Sequence, residues 1–216
     1  MSIDTTTEDI DRELDALGAA LAIDDATADL LFREAHTTYG YADEPVTDEQ
    51  VRAAWDLVRW APTMMNSLPM RLLVVRSDEG KQRLAAHMAE GNRQSVLDAP
   101  VTIVAAADPA FHRHFKTLAP FREDAEEQFE AMGEAREGLA RTSSLIQVGY
   151  LILGLRAAGL AVGPKTGFDA AGLDADLLAD KGWKSLVVIT AGVAAPEGAH
   201  KPRQARLDFE TVAEVI

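Results

Sequence analysis

Trp60-Ala61-Pro62-Thr63-Met64-Met65-Asn66-Ser67-Leu68-Pro69-Met70-Arg71 is the stretch on which the reading of this chain turns. Upstream of it, Thr47-Asp48-Glu49-Gln50 is a capping box, with Gln50 three residues after Thr47. Val51, Ala54, Trp55 and Val58 then mark one helical face, and Pro62 stops the helix. Downstream, Arg71-Leu72-Leu73-Val74-Val75-Arg76 reads as a buried strand. The quoted stretch is therefore a proline-bounded loop between a helix and a strand, and it presents a polar Thr63 and Asn66.

Further along, Ser77-Asp78-Glu79-Gly80 turns into a helix through Leu84 and Met88, and Val101–Ala107 is a second strand. Asp108-Pro109 predicts a helix start with proline at its first position. Between Pro120 and Gly138 acids dominate (Glu123, Asp124, Glu126, Glu127, Glu130, Glu134, Glu137), at helical spacings and without a cation-binding loop pattern, which predicts a solvated helix face. Leu139–Ala158 is apolar nearly all round, as in a helix buried in a core or an interface, and Gly159 ends it. A loop is expected at Gly163-Pro164-Lys165-Thr166-Gly167-Phe168, then a short helix, a strand at Ser185–Thr190, a basic segment, and a last helix from Asp208. Few strands among many helices predict an α+β fold.

Towards the other end, a helix is expected from Asp24 and Asp25 through Leu30, Leu31 and Ala35, with Tyr39-Gly40 breaking it. Residues 1–30 carry nine acids against one base, and Ile10, Leu14, Leu17 and Leu21 are spaced as one narrow amphipathic helix. The expected organisation is an acidic extension over residues 1–23 and one domain over 24–216.

The net charge of −14 argues against nucleic acid and anionic membranes as partners. No apolar run reaches the ~20 residues of a membrane span and the start lacks the basic residues of a signal peptide, so a soluble cytoplasmic protein is expected. Zero cysteine removes thiolate catalysis, Fe–S clusters and cysteine zinc sites together. Neither Gly-x-Gly-x-x-Gly nor a P-loop is present, since Val75 stands where the first glycine before Gly80-Lys81 would be. There is no Gly-x-Ser-x-Gly elbow around Ser143-Ser144. His112-Arg113-His114 is read as surface histidines, with no metal site expected, and Trp55 and Trp60 as core or interface.

Three separated segments remain informative: the quoted loop, Gly163–Phe168, whose glycines let backbone approach a flat ligand, and Lys201-Pro202-Arg203-Gln204-Ala205-Arg206, the densest basic run in an acidic chain. With Leu31-Phe32, Ala35 and Thr37, Pro45-Val46-Thr47-Asp48-Glu49, Gly80-Lys81, Arg83-Leu84, Ala99-Pro100-Val101, Arg156-Ala157, Gly159-Leu160 and Gly167-Phe168-Asp169, they form an ordered set. From Asp24 to Ile216 this set resembles the FMN-dependent nitroreductase family, most closely its malonic-semialdehyde-reductase-like branch.

The resemblance implies an α+β fold with a central, mostly antiparallel sheet flanked by helices. It also implies an interlocked homodimer with FMN at each end of the interface. Carried onto this chain, Pro62, Thr63, Met64 and Asn66 would meet FMN from one subunit, and Pro164, Lys165 and Gly167 would line its ring near N5 from the other. Arg203 and Arg206 would hold the phosphate, His36 would stand where the family usually has a phosphate-binding arginine, and Thr38 would be a further cofactor-binding residue. NADPH or NADH would reduce the flavin, and N5 would pass hydride to a small electrophile (a malonic-semialdehyde-like aldehyde, a nitro compound or a quinone) in the same pocket. No side chain is then the catalytic group, although Lys165 could pair with a substrate carboxylate. The chain departs from the family pattern at His36 (usually Arg), Met64 (a small polar residue), Leu68 (Gln or Ser) and Lys165 (Met, Ser or Glu). A neutral histidine offers one donor where arginine offers five. The alternative reading is a non-catalytic dimeric binding or regulatory protein on the same scaffold.

Overall fold

The computed structural model describes residues 21–216. The amphipathic helix expected around Ile10, Leu14 and Leu17 lies outside them. Residues up to Ala35 and residues from His36 onward form two units and are described separately.

In the first unit, the Asp24 carboxylate accepts from the Thr27 amide at 2.8 Å and caps α1 (Asp25–Ala28). The chain continues as one π-helical turn over Asp29–Arg33. Arg33 donates to Asp25 and Asp29 at 2.9 and 3.1 Å, and the helix ends there, short of Ala35.

In the second unit, Thr47 and Gln50 close the capping box in both directions and start α2 (Asp48–Val58). The quoted loop leads into β1 (Met70–Val75), and Ser77 caps α3 (Asp78–His87). A helix not foreseen, α4 (Glu90–Asp98), precedes β2 (Val101–Ala107). Pro109 does not open a helix. The Asp108 carboxylate instead accepts from the Ala110 amide at 2.8 Å, and this turn feeds a 3-10 turn over Phe111–His114 and then α5 (Phe115–Leu118). The acidic region folds as α6 (Ala125–Ala131), with Phe129 buried and the glutamates outward. The long helix α7 spans Ala135–Ala157, and Gly159 ends it at φ +80°, a left-handed conformation that only glycine adopts without strain. β3 (Ala161–Lys165), α8 (Ala170–Leu173), β4 (Lys184–Gly192) and α9 (Phe209–Val212) complete the unit.

The four strands pair antiparallel in the order β1-β2-β4-β3. Gly163–Lys165, expected as a loop, is thus part of an edge strand. Pro164 can stand there because an edge strand leaves one side unpaired, so a missing N–H costs no ladder bond. β2 is buried along its whole length because both faces are covered. Val101, Ile103 and Ala105 pack with Val148, Leu151 and Leu155 of α7, while Val104 and Ala106 pack with Leu84, Met88 and Leu178 on the opposite face. Past the end of β2, Phe111, Phe115 and Phe129 meet edge to face at 5.0–5.8 Å between centroids.

One expectation about burial is corrected. His112 is fully buried, with its Nε2 against the Glu130 carboxylate, since the 3-10 turn directs it under α6. Leu145 and Ile146 of α7 are 37% and 47% exposed, so the all-round apolar helix is only half covered within one chain. No helix of the described residues is long and apolar enough to cross a membrane.

Candidate functional site

The predicted site residues collect in two groups. The first is the loop between α2 and β1. Met65, Asn66 and Leu68 take positive φ values of 52°, 54° and 38°, which costs non-glycine residues on the order of 1–2 kcal/mol each. Bonds from several elements hold this strain. Thr63 Oγ1 accepts from the Leu68 amide at 3.2 Å, and Asn66 Nδ2 donates to the Leu118 carbonyl at 2.8 Å. Arg71 Nη1 donates to the Leu68 and Met70 carbonyls at 2.9 and 3.0 Å, while its Nη2 pairs with Asp108 at 2.8 Å. The Met70 amide donates to Gln147 of α7 at 3.0 Å, which locks the loop to the core. Pro62 and Asn66 face outward, whereas Met64 and Met65 pack against the phenylalanine cluster.

Beside this loop lies a cleft of about 550 Å³. Trp55, Arg59 and Trp60 form one wall and Asn66, Leu68 and Arg71 another. His114, Thr117 and Leu118 close it. Trp60 is 79% exposed within one chain, so of the two places expected for it, core or interface, it is not in the core.

The second group lies along β3. The Thr38 amide donates to the Val162 carbonyl at 3.0 Å, setting residues 36–41 against this edge. Tyr41 Oη and Thr190 Oγ1 are 2.7 Å apart, and Lys165 Nζ donates to the Gly163 carbonyl and to Thr190 Oγ1, both at 2.9 Å. Gly163 has to be glycine, because a Cβ there would collide with the Thr38 carbonyl oxygen and Thr190 Oγ1. Burial pushes the Tyr41 phenol up to about 12 and the Lys165 ammonium down to about 8. The His36 and His200 rings lie 4.9 Å apart, and His200 Nε2 is 3.2 Å from Thr38 Oγ1. Burial, then the charges of His36 and Arg156, hold His200 below its ordinary value. Lys165 and Lys201 both approach the Tyr39 ring, at 5.8 and 4.8 Å.

His36, Thr38, Lys165 and Pro164 are thus brought together, with Gly167 two residues past the end of β3. Arg203 and Arg206 are exposed in the segment after Lys201, and Arg206 donates to the carbonyls of Gln204 and Ala205. Lys165 turns its ammonium into the chain, so a role towards a substrate carboxylate has no exposed charge behind it. Sequence reasoning singled out Lys201 as part of the basic run but missed Tyr39, Tyr41, Thr190 and His200 as site residues. His200 directly precedes the basic run, which was the available signal.

The loop enters β1 and the second group stands on β3, so the two occupy opposite edges of the sheet. Three strand spacings separate them, roughly 14 Å.

The chain matches the nitroreductase family model over residues 32–193. It belongs to the nitroreductase family. A relative from Streptomyces griseus, provisionally named NADH dehydrogenase/NAD(P)H nitroreductase, is 44% identical over 197 residues, covering 91% of this chain and all of that protein. One from Leptothrix cholodnii with the same provisional name is 39% identical over 90% of this chain and 98% of its own. A Bacillus subtilis structure provisionally named a nitroreductase superposes with a TM-score of 0.77 at 20% identity, over 88% of this chain and 99% of the other. An Exiguobacterium sibiricum structure, similarly named and solved in complex with FMN, gives 0.74 at 19% identity over 88% and 97%. These two likenesses establish the nitroreductase fold.

Proposed function

We propose that this nitroreductase-family protein is an FMN-dependent NAD(P)H oxidoreductase, working as a homodimer whose two copies share each flavin site. The observation that carries this reading is the second group of residues. In a chain of net charge −14, His36, His200 and Lys201 converge around Thr38 and Tyr39 with the buried Lys165 ammonium behind them, and none of these groups forms an ion pair with an acid of the described residues. Such a cluster suits a phosphate, for which charge-assisted donors are the strongest partners. The FMN complex of the Exiguobacterium sibiricum structure and the name of the Streptomyces griseus relative support the same chemistry.

FMN, when bound, accepts hydride from NAD(P)H and returns it to an electrophilic acceptor. His36, Thr38, His200 and Lys201 would hold its phosphate, with Arg203 and Arg206 following on the same segment. The Tyr41–Thr190–Lys165 network fixes the Gly163 backbone and hence the line of β3. Pro164 and Gly167 would flank the ring. The braced loop would offer Pro62, Thr63, Met64 and Asn66 as a rigid platform. The two groups of a single chain lie at opposite edges of the sheet, roughly 14 Å apart. A second copy would supply the platform, and the exposed apolar residues Leu145 and Ile146 of α7 are suited to that contact. The proposed acceptors are small electrophiles: an aldehyde such as malonic semialdehyde, a nitro compound or a quinone.

The test mixes two variants, Asn66→Ala in the platform and His36→Glu with Lys201→Glu in the cationic group. Each alone should lose flavin absorbance and NAD(P)H-dependent quinone reduction. Co-refolded, they should recover flavin in one site of each mixed dimer. No recovery would refute sharing, and a colourless wild type that refuses added FMN would refute the flavin reading altogether.

A further inference from the structure

The cleft beside the platform contains cationic side chains but has no carboxylate in its lining, although the chain as a whole is strongly acidic. Its cations differ in how far they are committed. Arg71 is used up by Asp108 and by two backbone carbonyls. Among the described residues Arg59 pairs with the Asp56 carboxylate alone, one helical turn earlier, at 3.5 Å, in a half-exposed pair of a kind that contributes little. Its guanidinium stands 5.2 Å from the Trp60 ring, and Trp55 lies in the same wall. A flat apolar surface edged by one available guanidinium matches a planar ring bearing an acid group. The volume of about 550 Å³ lies in the ~300–1,000 Å³ range of small-ligand sites.

We infer that this cleft binds planar aromatic monocarboxylates, with the ring on Trp55 and Trp60 and the carboxylate on Arg59. Asn66 and Leu68 belong both to the cleft and to the loop, so a ligand here would lie beside the platform. The role of the cleft as the acceptor site rests on the flavin oxidoreductase reading, but binding itself does not. Arg59 is then a specificity-determining residue, since a ligand carboxylate can meet its guanidinium fork with both oxygens where Asp56 makes a single 3.5 Å approach.

The test compares benzoate with benzamide, equal in size and planarity and different in charge. Binding to the purified flavin-loaded protein is followed by isothermal titration calorimetry and by quenching of Trp55 and Trp60 fluorescence. Benzoate is expected to bind about tenfold more tightly than benzamide, and added salt to narrow the gap. Arg59→Gln should bring the two ligands within about twofold, and Arg59→Lys should keep part of the difference. Arg59 is exposed at a helix end, so circular dichroism should show both variants folded. Equal binding of the two ligands by the wild type, binding of neither, or a gap that survives Arg59→Gln would overturn the proposal. Menadione reduction by NADH, measured on the same wild-type sample, reports separately on the oxidoreductase reading.

Discussion

Lys165→Met should stabilise the protein at neutral pH and lose that advantage in alkali. The ammonium is buried, bonded to two neutral oxygens, and burial brings it from the ordinary 10.5 down to about 8. Each tenfold change in proton affinity is worth about 1.4 kcal/mol, so burying the charge costs at most ~3.5 kcal/mol, discounted to ~2 for residual screening by water. The folded-state value lies below the unfolded one, so the unfolded chain holds more protons between pH 8 and 10.5. Wild-type stability therefore rises with pH across that window, and the penalty is fully present below about 8. Methionine keeps most of the stem, and the Gly163 carbonyl retains the Thr190 hydroxyl as donor at 3.2 Å. A gain of ~2 kcal/mol corresponds to a rise in Tm of about 4–8 °C for a chain of this size. Thermal unfolding followed by circular dichroism at pH 7, 8.5 and 10, at equal protein concentration, should show the difference shrinking towards zero. A difference constant across the range would refute the buried-charge argument. A variant less stable at pH 7 would show that an anion already pairs the ammonium.

Three further outcomes are expected. FMN should bind more tightly as pH falls from 8 to 6, because a phosphate favours the protonated form of His200, whose ring faces His36 beside Lys201. Fluorescence titration checks this, a profile flat from pH 8 to 6 would refute it, and His36→Arg, which adds a fixed charge beside His200, should strengthen binding at pH 8. Ile146→Glu, on the exposed side of α7, should shift the proposed dimer towards monomer in sedimentation and release flavin with it, whereas an unchanged dimer would move the interface elsewhere. Gly163→Ala should lower the urea midpoint by an amount equivalent to ~1–3 kcal/mol, since the added methyl meets the Thr38 carbonyl and Thr190, and an unchanged midpoint would mean this edge is looser than it is drawn.

Local signals placed α2, α3, β2 and the start of α9, because Thr47, Ser77 and Asp208 cap their own helices and an apolar run such as Val101–Ala107 has no other stable place than a covered strand. The ordered motifs were enough for the family and hence for the fold. Elsewhere the neighbours decided. Gly163–Lys165 reads as a loop by composition and becomes a strand because the edge of β4 offers it a partner and its outer side tolerates proline. His112 looks like a surface residue in a basic tripeptide and is buried because α6 folds over it. His200 meets His36 across more than a hundred and sixty residues, and Arg59 acquires a cleft only when His114 and Leu118 are folded opposite it. Capping and periodicity are interactions within a few residues and are written locally. Which strand is an edge, which cation is left without an acid and which side chain is desolvated depend on distant segments arriving at the same place, and only the tertiary structure brings them there.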